Sequence, residues 1–154
     1  MDENSMLLLR YSSYKKYDFI REHNSIIKNK GSVWMLKVGK CIPENKLQKM
    51  YEYGGVMYLR SPKIEGEKFY KAIIKAYYSG EPKRNMIFPK YYDEMLNDED
   101  LWLVDSLSGT WFEIVEIKEI SKTQAERLKI VSNGKRAVDV LSCTRSSMLY
   151  VNEE

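Results

Sequence analysis

The sequence holds a single histidine, His23, and two cysteines, Cys41 and Cys143, which lie far apart and form no C-x-x-C pair. One His and two scattered thiols cannot furnish a closed zinc site of the usual kind. They suit a cytosolic, cytoplasmic chain with free thiols better than a disulfide framework. No pattern asks for a magnesium site built from carboxylates alone, so no metal is expected. No apolar run approaches the roughly 20 residues needed to cross a bilayer. Asp2 and Glu3 precede only the short apolar run Met6–Leu9, which is neither a basic n-region nor an h-region. Neither membrane insertion nor a secretory leader is therefore expected. Neither a P-loop nor a G-x-G-x-x-G is present. No motif names a reaction and none implies a cofactor, so the reading leans away from an enzyme.

What is present is a charge split. The chain is +3 overall, but residues 28–90 carry 14 Lys or Arg against 5 Asp or Glu, a net +9, and residues 91–119 carry one against 9, a net −8. The basic stretch also holds nine aromatics: Trp34, Tyr51, Tyr53, Tyr58, Phe69, Tyr70, Tyr77, Tyr78 and Phe88. Cations interleaved with rings suit a phosphate backbone and stacked bases. With 154 residues, 44% apolar and 31% charged, one globular domain over 1–154 is expected, with flexible ends at 1–5 and 152–154.

Residues 6–10 read as a buried first strand, and Ser12 or Ser13 can cap a helix over about 14–29 that Gly31 ends. Residues 32–38 read as a central strand. A short helix runs from Pro43 to about Tyr53, then a strand over 56–60. Residues 67–78 fit helix or strand, and β-branched and aromatic content favours a long strand. A loop over 79–89 leads to a short helix at 91–96. Strands are expected at 101–104 and 110–120, the latter with a bulge. After a brief helix at 122–127, a hairpin is expected with arms 128–131 and 137–141 around Ser132-Asn133-Gly134, and a last strand at 147–151. Strands in runs argue for α+β, with a small, mostly antiparallel bent sheet or β-barrel and two to four short flanking helices.

Several constellations could carry binding. Trp34 and Lys37 share a strand, but their odd spacing sends them to opposite faces. Gly39 permits close backbone approach, so Lys40 could meet a phosphate there; the plainer alternative is a core Trp and a solvated Lys. Tyr58 and Arg60 lie two apart on one face, a ring beside a guanidinium, with Ser61 next in line. Trp102 and Trp111 flank a polar loop and could sandwich one flat ligand, or simply fill a core. Lys83 and Arg84 sit in a loop between the pairs Tyr77-Tyr78 and Tyr91-Tyr92, as a lid or clamp would. For catalysis, His23 lies on an apolar helix side, where a packed histidine is the commoner occupant. Cys143 beside Arg145 has no His near in sequence. Glu113, Glu116 and Glu119 read as a solvated edge.

The opening strand with its helix, the central strand with Trp34 and Lys37-Val-Gly-Lys40, and the late strand Trp111-Phe-Glu-Ile-Val-Glu-Ile117 resemble the PUA-like superfamily, in particular its EVE and ASCH branches. The resemblance implies a bent β-barrel with a pocket for nucleic acid, often for a modified base, with Trp34, Ser61 and Trp111 nearest that pocket. The expectation is thus a nucleic-acid-binding domain. Lys37, Lys40, Arg60, Lys83 and Arg84 would contact phosphate, and Trp34, Tyr58 and Trp111 would stack. One alternative is a protein–protein interaction module that uses the charge split to dock on an oppositely charged protein or on itself. Another is a small hydrolase or nuclease.

Overall fold

A computed structural model describes residues 6–11, 13–38, 41–62, 67–98, 107–141 and 148–153. The elements run β1 (Met6–Arg10), α1 (Phe19–Lys30), β2 (Val33–Val38), α2 (Glu44–Glu52), β3 (Val56–Arg60), β4 (Phe69–Gly80), α3 (Tyr91–Leu96), β5 (Gly109–Ile120), α4 (Lys122–Glu126), β6 (Leu128–Ile130), α5 (Ala137–Leu141) and β7 (Met148–Glu153). The α+β class is as expected, with five short helices among the described residues rather than two to four. The seven strands form one mixed sheet in the order β2-β5-β4-β3-β1-β7-β6. Its end strands β2 and β6 do not pair, so the barrel anticipated from the sequence is not closed. The β1–β3 pair is parallel, while β1–β7, β2–β5, β3–β4 and β6–β7 are antiparallel. No helix among the described residues is long and apolar enough to cross a membrane.

By its contacts the chain divides into two compact units. Unit 1 comprises Met1–Ser12, Gln48–Ile73 and Ile117–Glu154. Its strands β1, β3 and β7 alternate between two faces, as the two-residue period of a strand requires. One face gathers Leu8, Tyr58 and Val151 with Leu128, Ile130 and Ala137 into a buried cluster, bordered by Val56, Phe69 and Leu149. The other places Leu7, Leu9, Met57 and Leu59 in the core, each at most 4% exposed. Ser121 opens α4 with a capping box: its hydroxyl accepts from the Gln124 amide, and the Gln124 side chain accepts from the Ser121 amide.

The hairpin expected at 128–141 forms only at its turn. Gly134, at φ 71°, donates to the Ile130 carbonyl at 2.8 Å, and Ile130 donates to Lys135 at 2.8 Å. A positive φ is what glycine supplies at such a turn. After a single bridge from Lys129 to Arg136, the chain turns into α5 instead of a second arm. Arg136 grips Asp139 three residues on, at 2.9 Å, and Ala137 is fully buried. The strand that pairs with β6 is β7, in register from Leu128↔Glu153 to Ile130↔Val151.

Unit 2 comprises Ser13–Leu47 and Ile74–Glu116. Helix α1 starts later than the sequence suggests, because Tyr14 and Tyr17 form a small bridge first. Asp18 is its cap and accepts from the Arg21 amide at 3.0 Å; the Ser13 hydroxyl accepts from the Phe19 amide at 3.2 Å. Gly31, at φ 90°, closes it by donating to Ile27. Residues 67–78, ambiguous in sequence, lie largely in β4, and the strand expected over 110–120 is β5. The core of unit 2 is aromatic: Tyr14, Tyr91, Tyr92 and Trp111 with Met86 and Leu107, packed against Trp34, Tyr78 and Phe88. The expected strand at 101–104, with Trp102, lies outside the described residues, as do Gly39, Lys40, Cys143 and Arg145.

Candidate functional site

In unit 2, the β2–β5 register sets Trp34 opposite Glu113 and Leu36 opposite Trp111. Directly opposed residues of an antiparallel pair share a face. Trp34, Leu36 and Trp111 are therefore on one side, while Lys37, opposite Thr110, is on the other, as the odd spacing requires. Trp34 is half-buried against the aromatic cluster. Trp111 has no exposed surface, and its indole N–H donates to the Gly80 carbonyl at 3.2 Å.

The loop that carries Lys83 and Arg84 is held by its own apolar residues. Met86 is buried, and the Phe88 ring stacks on Tyr92 at 5.3 Å and lies 5.2 Å from Trp111. The Trp34 amide donates to the Ile87 carbonyl at 2.8 Å, and the Met86 amide donates to the Lys83 carbonyl at 3.2 Å. With the backbone so fixed, Lys83, Arg84, Ile87 and Lys90 are left exposed. Lys83 Nζ lies 4.6 Å from the centre of the half-buried Tyr78 ring, within cation–π range. The ion pairs of the described residues include none of these three cations.

The same unit buries His23 completely. Nδ1 is 2.7 Å from the Phe19 carbonyl, which can only accept, so Nδ1 carries the proton. Nε2 then accepts from the Tyr92 hydroxyl at 2.7 Å, and Tyr92 Oη accepts from the Leu36 amide at 3.3 Å. Burial lowers the imidazole from 6.5 to about 4, with the Phe19 carbonyl opposing, and pushes the Tyr92 phenol well up. Such a fully engaged histidine is a packing element, in line with its apolar helix side. Nearby, Tyr14, Tyr17 and Tyr91 stack, and the Tyr14 hydroxyl donates to Asp98 at 2.5 Å and that of Tyr17 to Glu94.

In unit 1, Tyr58, Arg60 and Ser61 are all buried, at 3%, 8% and 2% exposure. Tyr58 donates to Glu153 at 3.1 Å, and burial, then that carboxylate, raises its phenol. Ser61 is engaged with Lys68: its amide donates to the Lys68 carbonyl at 2.8 Å, and its hydroxyl accepts from the Lys68 amide at 2.7 Å. Arg60 differs, since its Nη2 is buried without a hydrogen-bond partner. Burial and the neighbouring Arg10 charge lower its pKa, partly offset by Glu67. Arg10 was missed in the sequence. Its position two residues after Leu8 gave its face, but its partner strand was not readable locally.

The candidates thus fall into two sets. Trp34, Lys37, Lys83, Arg84 and Trp111 belong to unit 2; Tyr58, Arg60 and Ser61 belong to unit 1. Among the described residues no group of three or more His, Cys, Asp or Glu could hold a metal ion. Cys41 is an exposed free thiol. No protein family, no curated protein and no solved structure gives a significant match to the chain.

Proposed function

We propose that the chain binds nucleic acid through the loop of unit 2 that carries Lys83, Arg84 and Lys90. The observation that supports this is the fixed loop itself, whose three exposed cations have no ion-pair partner among the described residues, with Lys83 over the Tyr78 ring and Ile87 exposed on the same loop. Cations beside a ring and an apolar side chain fit a phosphate backbone with bases laid against the rings. A loop already ordered by Met86 and Phe88 loses little freedom on binding. Half-buried Trp34 is a second stacking surface in this reading, and Trp111 holds the cluster from beneath. A pocket for a flipped or modified base, as in the PUA-like proteins the sequence resembles, would be a refinement of the same proposal.

Fluorescence anisotropy on a labelled single strand and a labelled duplex, at 50 and 200 mM salt, tests it. Three phosphate contacts correspond to an affinity drop of about 20- to 40-fold between those salts. The double variant Lys83→Glu with Arg84→Glu is expected to abolish most binding without altering the fold, since both side chains are exposed. Salt-insensitive binding, or no binding to either probe, overturns the proposal.

A further inference from the structure

We propose that Arg60 and Arg10, at the ends of β3 and β1 in unit 1, form a site for one phosphomonoester group. The two arginines are Cα partners in the parallel β1–β3 ladder. In-register neighbours on adjacent strands project to the same face, so both side chains leave the ladder on one side, and the Arg10 charge acts on Arg60. They lie at the rim of the apolar cluster, on the face that carries Leu8, Tyr58 and Phe69. Arg60 is only 8% exposed, and its Nη2 finds no acceptor. The ion pairs of the described residues involve neither arginine.

An arrangement of this kind works against folding when empty. Burying a charged donor without an acceptor is unfavourable, and a like charge beside it adds to the penalty. Glu67 lessens the field at Arg60 without forming an ion pair. An oxyanion at this spot would turn both terms around, filling the open N–H and neutralising the pair. Guanidinium forks match phosphoryl oxygens two at a time. A phosphomonoester carries about −1.5 to −2 charges at neutral pH and so balances two arginines; a carboxylate leaves one uncompensated. A phosphodiester inside a strand carries a single charge and a sugar on each side, which suits an exposed track and not a donor buried this deeply. The geometry therefore favours a terminal group: the end of an oligonucleotide, or a small phosphorylated molecule.

This inference does not rest on the nucleic-acid reading, because that loop belongs to unit 2. The test is thermal unfolding of the full chain against inorganic phosphate, with acetate and chloride at matched ionic strength. Phosphate at about a hundredfold excess over Kd is expected to raise Tm by about 5 °C or more, and acetate is not. Arg10→Met and Arg60→Met should each lose the phosphate response. Arg60→Met should also keep or raise Tm without phosphate, which a purely structural arginine would not allow. Arg10→Met, at a half-buried position, keeps the test decisive should Arg60→Met fail to fold. No phosphate-dependent shift in the wild type, or an equal shift in Arg10→Met, overturns the site. Oligonucleotides with a 5′-phosphate or a 5′-hydroxyl then separate the sources. A preference for the phosphorylated end of about tenfold, lost in Arg10→Met, assigns the site to strand ends. Equal affinity alongside an intact phosphate response assigns it to small phosphorylated molecules.

Discussion

In unit 2, His23 and Thr110 are fully buried, and each is answered: both His23 nitrogens have partners, and the Thr110 hydroxyl accepts from the Ile42 amide at 3.0 Å. In unit 1, Arg60 is nearly as deep and keeps an open donor. The first arrangement joins two polar groups across an aromatic core and adds to stability. The second holds a charge beside a like charge and gains from a ligand. Depth alone therefore does not separate structure from function here; the separation lies in whether the hydrogen-bonding capacity is used up.

The largest expected effect probes the satisfied side of that comparison. The unfolded imidazole of His23 titrates near 6.5 and the folded one near 4. As pH falls, the unfolded chain takes up the proton first, so stability is lost between those two values and is flat above the upper one. The loss attributable to His23 is about 3 kcal/mol. Carboxylates also titrate at the low end, so the measurement is a difference: urea unfolding of wild type and His23→Leu at pH 7 and pH 4.5. The wild type should lose more than the variant across this range. Equal losses would mean that the imidazole is not held neutral by its surroundings.

A smaller effect comes from the partner of that histidine. Tyr92→Phe removes the hydroxyl that donates to His23 Nε2 and accepts from the Leu36 amide, leaving the buried ring nitrogen and the part-buried amide short of a partner. The expected destabilisation is about 1–3 kcal/mol, read as a lower urea midpoint. Set beside Arg60→Met, which should cost nothing in the absence of phosphate, it decides the comparison. If Tyr92→Phe were neutral and Arg60→Met destabilising, the roles assigned to the two buried polar groups would be reversed.

How much of this was legible in the sequence depends on how local each signal is. Parity along one strand is local, and it correctly put Trp34 and Lys37 on opposite faces and Tyr58 with Arg60 on the same one. The Asn133-Gly134 turn was local too. The path of the chain beyond that turn was not, because it is decided by a distant strand: β7 pairs with β6 and leaves 137–141 free to coil into a helix. Arg10 is the same lesson at the site. Its neighbour across the ladder, Arg60, is joined by a parallel pairing that requires a long crossover, and no short window of sequence reveals it. Burial was the other gap. An aromatic beside cations reads alike whether the ring is open, as in part for Tyr78, or sealed, as for Tyr58.

The smallest effect concerns a polar pair that is satisfied in the open. Ser121 and Gln124 answer each other's amides at the start of α4, at exposed positions. Ser121→Ala removes the acceptor for the Gln124 amide, but water can replace it, so the cost should be about 1 kcal/mol. That falls at the low end of the range expected for Tyr92→Phe, where the orphaned His23 Nε2 is fully buried. Chemical denaturation of Ser121→Ala at neutral pH gives the figure directly. A loss of about 3 kcal/mol would show that satisfaction outweighs burial in setting what these polar pairs contribute. A loss near 1 kcal/mol would leave burial as the factor that makes the His23–Tyr92 pair valuable and the open donor of Arg60 expensive.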